Sequence, residues 1–203
     1  MGRFKPLLPL GRQTVLERVI HLFRSAGVTD IRVVVGHRAE EIRAKLNASG
    51  VTIVENPRYS EGMFSSVTSG IRQIDPAAGG FFMMPADIPL VRPLTLRILI
   101  SAYAVHPRCI IHPFFDGERG HPPLIPAHLI PAILSHTGEG GLRRILDSGL
   151  ADIREIPVPD RHILLDMDRP AGYDRVKKCL ADHDIPDESE CHLLLRDVCT
   201  VSD

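Results

Sequence analysis

The chain has little of what marks an oxidising compartment or a bulk polyanionic partner. Its four cysteines, Cys109, Cys179, Cys191 and Cys199, form no CxxC pair. That spacing offers neither a zinc site nor a disulfide framework and fits reduced thiols. Net charge is −1, so there is no basic excess to hold a nucleic-acid backbone or an anionic membrane. No apolar run approaches the roughly 20 residues of a membrane-spanning helix. The amino-terminal residues are too poor in apolar side chains for a signal peptide. Internal repeats and low-complexity tracts are also missing. These absences predict a cytoplasmic globular protein with neither nucleic acid nor membrane as partner. What remains is ordinary: 203 residues, 44% hydrophobic and 24% charged, enough for one domain with a sizeable core.

Periodicity alternates along the chain. Thr14 to Ala26 carries Leu16, Val19, Ile20 and Phe23 at helical spacing, with Gly27 as a stop. Ile31 to Gly36 is a β-branched run suited to a buried parallel strand. A helix ending at Gly50, a strand over Val51 to Asn56 and a helix over Ser65 to Ile74 follow. "GFFMMPAD" reads as a strand running into a loop, Arg92 to Val105 as a helix, and "CIIHP" as a strand. Ser135 to Leu150 holds a Gly-rich turn and a short helix. "ADIREIPV" and "HILLDMD" read as late strands, and Pro170 opens a last helix. Such alternation predicts an α/β, doubly wound, Rossmann-like domain with a mostly parallel sheet over residues 1–182. Residues 183–203 are polar, then amphipathic, and read as a linker or the start of a second domain. His183 and Asp184 stand alone there, whereas a metal site needs several convergent ligands.

In a doubly wound sheet, ligands bind beyond the carboxyl ends of the strands. In "FMMPADIPLV" an apolar strand delivers Asp87 to such an end between two prolines. A carboxylate there either holds Mg²⁺ over a triphosphate or caps the next turn. In "LLDMDRPAGYD", Asp166 and Asp168 follow an apolar run; one could complete a metal site with Asp87, or Asp168 could cap the helix at Pro170. In "ENPRYSEGMFSSV", Asn56 ends a strand, Gly62 permits close backbone approach, and Ser65 and Ser66 open a helix whose free N–H groups suit a polar ligand or a plain cap. "FFDGERGHPPLI" makes a rigid turn that presents Gly120 and His121. Lys5, ahead of a Pro-Leu-Leu-Pro stretch, is either a charge stabiliser over phosphates or a solvated terminal lysine.

Taken in order, these segments resemble the nucleotidyltransferases of molybdenum-cofactor maturation, in particular the molybdopterin cytidylyltransferase (MocA-like) branch of the MobA-like family. That family opens with a strand and a loop of the form L-A-A-G-x-S-x-R-M-G-x-x-K-x-L-L, whose last part "MGRFKPLL" matches. "GMFSSV", "PADIPLV", "RGHPPLI" and "DMDRP" match later motifs in the same order, so the resemblance runs from Met1 to about residue 180. It implies transfer of CMP from CTP to molybdopterin with release of pyrophosphate, and Mg²⁺ (or Mn²⁺) on Asp87 and Asp168. It gives Lys5 and Asp87 catalytic roles. It places Lys5, Asn56, Gly62, Ser65, Ser66, Gly120 and His121 against nucleotide or pterin. It also implies an apo-molybdoenzyme of the xanthine dehydrogenase or aldehyde oxidoreductase type as a receiving partner.

The chain departs from the family pattern at its start. The first strand and most of the phosphate loop are not in the sequence, which predicts a gap in the sheet. The residues that separate cytidylyl from guanylyl members lie in that loop. GTP-dependent transfer to molybdopterin therefore stands as an alternative, as does a non-catalytic module that binds and inserts the cofactor.

Overall fold

The computed structural model describes residues 4–47, 49–168 and 170–181. The tail expected beyond residue 182, with His183, Asp184, Cys191 and Cys199, lies outside the described residues. A short ribbon of β1 (Pro9–Leu10) and β2 (Gln13–Thr14) leads into α1 (Val15–Ser25). Next come β3 (Arg32–Val35), α2 (Ala39–Leu46), β4 (Thr52–Glu55), α3 (Met63–Ile71), β5 (Gly80–Phe82) and α4 (Pro93–Val105). The remainder is β6 (Ile110–Phe115), β7 (Glu118–Arg119), β8 (Leu124–Pro126), α5 (Ile130–Ser135), α6 (Gly141–Leu146), β9 (Ile153–Pro157) and α7 (Pro170–Ala181).

Helix α1 shows how local sequence sets an element and its packing. Thr14 is its N-cap: the Thr14 hydroxyl accepts from the Glu17 amide at 3.3 Å, and the Glu17 carboxylate accepts from the Thr14 amide at 2.7 Å. This reciprocal capping box follows from the Thr-x-x-Glu spacing and stabilises the first turn by about 1 kcal/mol. Apart from Val15, the buried residues form two stripes. Leu16 and Ile20 pack with Val33, Val35, Ile42 and Leu46. Val19, Leu22 and Phe23 pack with Ile88, Val91 and Leu96.

The expected α/β class holds, but the sheet is mixed rather than mostly parallel. β3–β4 and β6–β9 are parallel. β5–β8, β6–β8 and β6–β7 are antiparallel. The reason lies in the connection between β6 and β7. Asp116 and Gly117, at φ 48° and 86°, make a two-residue turn of the left-handed kind, which joins only antiparallel neighbours. A second correction concerns "HILLDMD". Arg161–Leu164 is a 3-10 helix, not a strand. The Asp160 side chain accepts from the His162 amide at 3.1 Å and turns the chain into a helical start.

The expected gap is present. Among the described residues β3 pairs with β4 alone, and β5 pairs with β8 alone. The two sheet pieces are held side by side by α1 on one face and α3 on the other. Between them runs a cleft of about 510 Å³.

Candidate active site

Three chain segments far apart in sequence meet on one apolar footing. Leu8 and Leu10 of the Pro-Leu-Leu-Pro stretch, Leu90 just after the Pro-Ala-Asp turn, and Met167 between the two aspartates pack together with Val15 and Val176. The Tyr173 hydroxyl of α7 donates to the Pro9 carbonyl at 2.6 Å and ties the last helix to the first ribbon. Each partner carries a charged neighbour a few residues away: Lys5, Asp87 and Asp168. Burying the leucines and Met167 is what brings those charges to one place.

There the Lys5 ammonium donates to Asp168 Oδ1 at 3.1 Å, and Asp87 is hydrogen-bonded to Asp168. Burial, then the hydrogen bond and negative charge of Asp168, push the Asp87 carboxyl above the ordinary carboxylate range, against the pull of Lys5. The Asp168 amide donates to Asp166 Oδ1 at 3.1 Å, so Asp166 shapes the turn and exposes its own side chain. Lys5 and Asp87 both line the cleft between the sheet pieces. One carboxylate is thus half-buried at a strand end and the other is exposed beside it, with a cation touching the pair.

The arrangement suits a divalent cation. Two adjacent carboxylates repel, and a cation relieves that repulsion. Mg²⁺ takes one or two carboxylates and fills its remaining positions with phosphate oxygens and water. Among the described residues no group of three or more His, Cys, Asp or Glu side chains could hold a metal by itself. The donor set therefore fits a cation that arrives with a phosphate ligand.

The other predicted residues divide. Ser66 and Met63, at the start of α3, line the cleft. Gly62 caps that helix at φ 103°, a conformation that favours glycine. Asn56 and Ser65 do not present free groups. Asn56 is 1% exposed, and its amide donates to Ser65 Oγ at 2.8 Å and Ser66 Oγ at 3.0 Å. Asn56 Oδ1 accepts from the Arg58 amide at 3.0 Å, and the Ser65 hydroxyl donates to the Arg58 and Gly62 carbonyls, both at 2.8 Å. Their effect is positional: they fix the loop that carries Gly62 and orient Ser66. Gly120 packs where a Cβ would lie 2.5 Å from Ile163. The His121 amide donates to the Ile163 carbonyl at 3.0 Å, and its ring bonds the Met83 carbonyl of the β5 segment, four residues before Asp87. Burial pushes the His121 pKa down, against that hydrogen bond, and keeps the ring neutral.

Sequence reasoning missed Asp160, which locks the Asp166–Asp168 side of the site to α4. Its carboxylate is 1% exposed and accepts from the Arg92 amide at 2.8 Å, Thr95 Oγ1 at 2.7 Å and the His162 amide at 3.1 Å. Burial alone would raise its pKa; the hydrogen bonds from His162, Arg92 and Thr95 outweigh burial and hold it below the ordinary range. The available signal was an aspartate following a proline and standing three residues ahead of Ile163, a capping position.

An α/β sheet wrapped by helices, with a lysine and two carboxylates beside a cleft, suits a phosphate-handling enzyme, and the family match makes the class that of a nucleotidyltransferase. The chain belongs to the MobA-like NTP transferase domain family, whose profile matches residues 1–153. It is 26% identical over 179 residues to the molybdenum cofactor cytidylyltransferase of Escherichia coli K12, covering 88% of this chain and 89% of that protein. It is 30% identical over 151 residues to the nicotine blue oxidoreductase of Paenarthrobacter nicotinovorans, covering 70% of this chain and 72% of that protein. A crystal structure of a Mycobacterium tuberculosis H37Rv protein superposes with a TM-score of 0.73 at 28% identity, covering 88% of this chain and 90% of that one. A second structure from that organism, a manganese complex, superposes at 0.69 and 30% identity over 87% and 93% of the two chains.

Proposed function

We propose that this protein transfers CMP from CTP to molybdopterin. The observation that carries the reading is the Lys5–Asp168–Asp87 cluster at the mouth of the cleft, in a chain similar along 88% of its length to a molybdenum cofactor cytidylyltransferase. A terminal phosphate oxygen of molybdopterin attacks the α-phosphorus of CTP in line. The new P–O bond forms as the bond from the α-phosphorus to the bridging oxygen breaks, and pyrophosphate leaves with its electron pair. Asp87 and Asp168 are the residues that would hold Mg²⁺ or Mn²⁺, and the cation supplies charge neutralisation on the phosphates. Lys5 places a further positive charge where negative charge develops. Ser66, held by Asn56, lines the nucleotide side of the cleft, and the neutral His121 stands on the acceptor side beside β5. The work of the protein is positioning and charge stabilisation. This reading carries with it a cytoplasmic location and hand-over of the product to an apo-molybdoenzyme of the xanthine dehydrogenase or aldehyde oxidoreductase type.

The similarity to a protein named for an oxidoreductase activity makes a direct assay decisive. Pyrophosphate release is measured with CTP or GTP, Mg²⁺ and molybdopterin. Turnover with CTP supports the reading. Turnover with GTP alone replaces it with guanylyl transfer. Molybdopterin binding without any turnover replaces it with a cofactor-carrying module.

A further inference from the structure

The Lys5–Asp168 ion pair is a loose one. The sequence has four lysines, Lys5, Lys45, Lys177 and Lys178, and of these only Lys5 lines the cleft. Among the described residues its ammonium makes one contact, to Asp168 Oδ1 at 3.1 Å. The Lys5 side chain is 29% exposed and the Asp168 side chain 72%, so water competes for both ends of the pair. Arg119 shows the contrast. Its guanidinium reaches Glu155 through Nε at 2.6 Å and Asp147 through Nη1 at 3.0 Å, which ties β7 to β9 and to the end of α6. A planar fork of that kind holds a fixed geometry; an ammonium on a four-carbon stem is a mobile point charge.

The backbone beneath Lys5 is firmly held. The Lys5 carbonyl accepts from the Leu8 amide at 3.0 Å, Pro6 fixes the next φ, and Leu8 and Leu10 are buried in the apolar footing. The lysine stem therefore swings from a fixed base. In one direction it meets Asp168, and in the other lies the cleft, lined also by Ser66 and Asp87. Asp168 is itself shared: it accepts from Lys5 and is hydrogen-bonded to Asp87. A divalent cation held by Asp87 and Asp168 comes to the carboxylate that the ammonium already uses. Two positive charges at such range repel, and the phosphate ligand of the cation offers the ammonium another anionic partner.

We infer that Lys5 and a divalent cation exchange at Asp168. The ammonium leaves the carboxylate as the cation arrives and moves to the phosphate chain bound with the cation. The inference rests on the reading of Asp87 and Asp168 as cation ligands. Its consequence is a coupling between two ligands. A cation arriving alone takes from Lys5 the partner it has. A cation arriving with pyrophosphate gives Lys5 a new partner in place of the old one. Each ligand therefore tightens the other, by the same factor in both directions. A lysine that stayed on Asp168 throughout would weaken cation binding and contribute nothing to that factor.

Two measurements test the exchange, with Mg²⁺ and pyrophosphate as probes. In the first, lysine-selective ¹³Cε labelling gives four signals, of which Lys5 is assigned by its loss in Lys5→Met. Saturating Mg²⁺ should move the Lys5 signal to the position it has in Asp168→Asn and leave the other three in place. Adding pyrophosphate should then move it to a third position. In the second, calorimetry gives the factor by which Mg²⁺ tightens pyrophosphate binding. That factor should fall about three- to tenfold in Lys5→Met and equally in Lys5→Gln. A Lys5 signal that stays still at Mg²⁺ saturation overturns the inference. So does an unchanged factor in the two variants, or a parent protein that binds no Mg²⁺. Should a variant fail to fold, the signal of Lys5 in the parent still decides. Neither CTP nor molybdopterin enters these measurements, so their failure is distinct from failure of the transferase reading, which shows only in turnover.

Discussion

His112 makes the acid stability of this protein calculable. It lies on β6, the strand bonded to β7, β8 and β9. Burial, then the charge of Arg119 and the repulsion from His121 once that ring protonates in acid, lower its pKa from 6.5 to about 4, against the favourable charge of Asp147 and a hydrogen bond to Gly120. Its Nδ1 is buried without a hydrogen-bond partner. At pH 7.5 the ring is neutral in both the folded and the unfolded chain, so it adds no pH dependence. Between 6.5 and about 4 the unfolded chain takes up a proton that the folded chain refuses, and stability falls as pH falls. Each pH unit in that window costs up to about 1.4 kcal/mol. The shift sums to roughly 3 kcal/mol, reduced toward 2 because the ring keeps some solvent contact. Below about 4 the folded chain binds the proton too, and this loss levels off. His112→Leu removes the titration together with the unsatisfied nitrogen, so its stability at pH 7.5 should stay within about 1 kcal/mol of the parent. The assay is urea unfolding of parent and variant at pH steps from 7.5 to 4. The parent should lose about 2–3 kcal/mol more than the variant across the window. Carboxylates titrate in both proteins and cancel in the difference. Equal losses in parent and variant would refute the assignment of acid sensitivity to this ring.

The same structure separates activity from stability elsewhere. Lys5→Met should lower pyrophosphate release about 10²–10³-fold while leaving the unfolding midpoint nearly unchanged, because its partner Asp168 is 72% exposed and such pairs contribute little to folding. Asp87→Asn should abolish turnover and leave Tm equal or higher, since a half-buried charge beside a second carboxylate opposes folding; a Tm loss with retained turnover would remove Asp87 from the site. Asp160→Ala should do the reverse. It strands the Thr95 hydroxyl and the Arg92 and His162 amides, costing about 3 kcal/mol and roughly 6–12 °C in Tm, with activity per folded molecule largely kept below the new Tm.

Local structure was legible where local chemistry decides it. The Thr14-x-x-Glu17 box and the apolar spacing after it give α1. The β-branched run Arg32–Val35 and the later Thr52–Glu55 run give a parallel pair. The position of Asp87 along the cleft was legible because an apolar strand runs into a loop in which Pro85 and Pro89 bracket the aspartate. The strand Leu124–Pro126 was hidden because its flanking prolines read as loop; in the sheet the Pro123 carbonyl serves as an acceptor for the Met83 amide, a role that needs no N–H. "HILLDMD" misled because an apolar run of three residues, Ile163 to Leu165, has no period to read, and the deciding contact, the Asp160 cap, lies outside the run. The pairing of Lys5 with Asp168, 163 residues apart, has no local signature at all; the resemblance to a known family placed both residues at one site but did not foresee their contact. What makes that pairing physical is the apolar footing of Leu8, Leu10, Leu90 and Met167 beneath it. Each of those residues reads in sequence as ordinary core. Charged residues set what the site can do, but the hydrophobic residues beside them decide that the charges meet. A substitution such as Met167→Ala should therefore loosen the Lys5–Asp168 contact without touching either charge, and the lysine's contribution to turnover should shrink in that background, which a Lys5→Met double-mutant cycle reads directly.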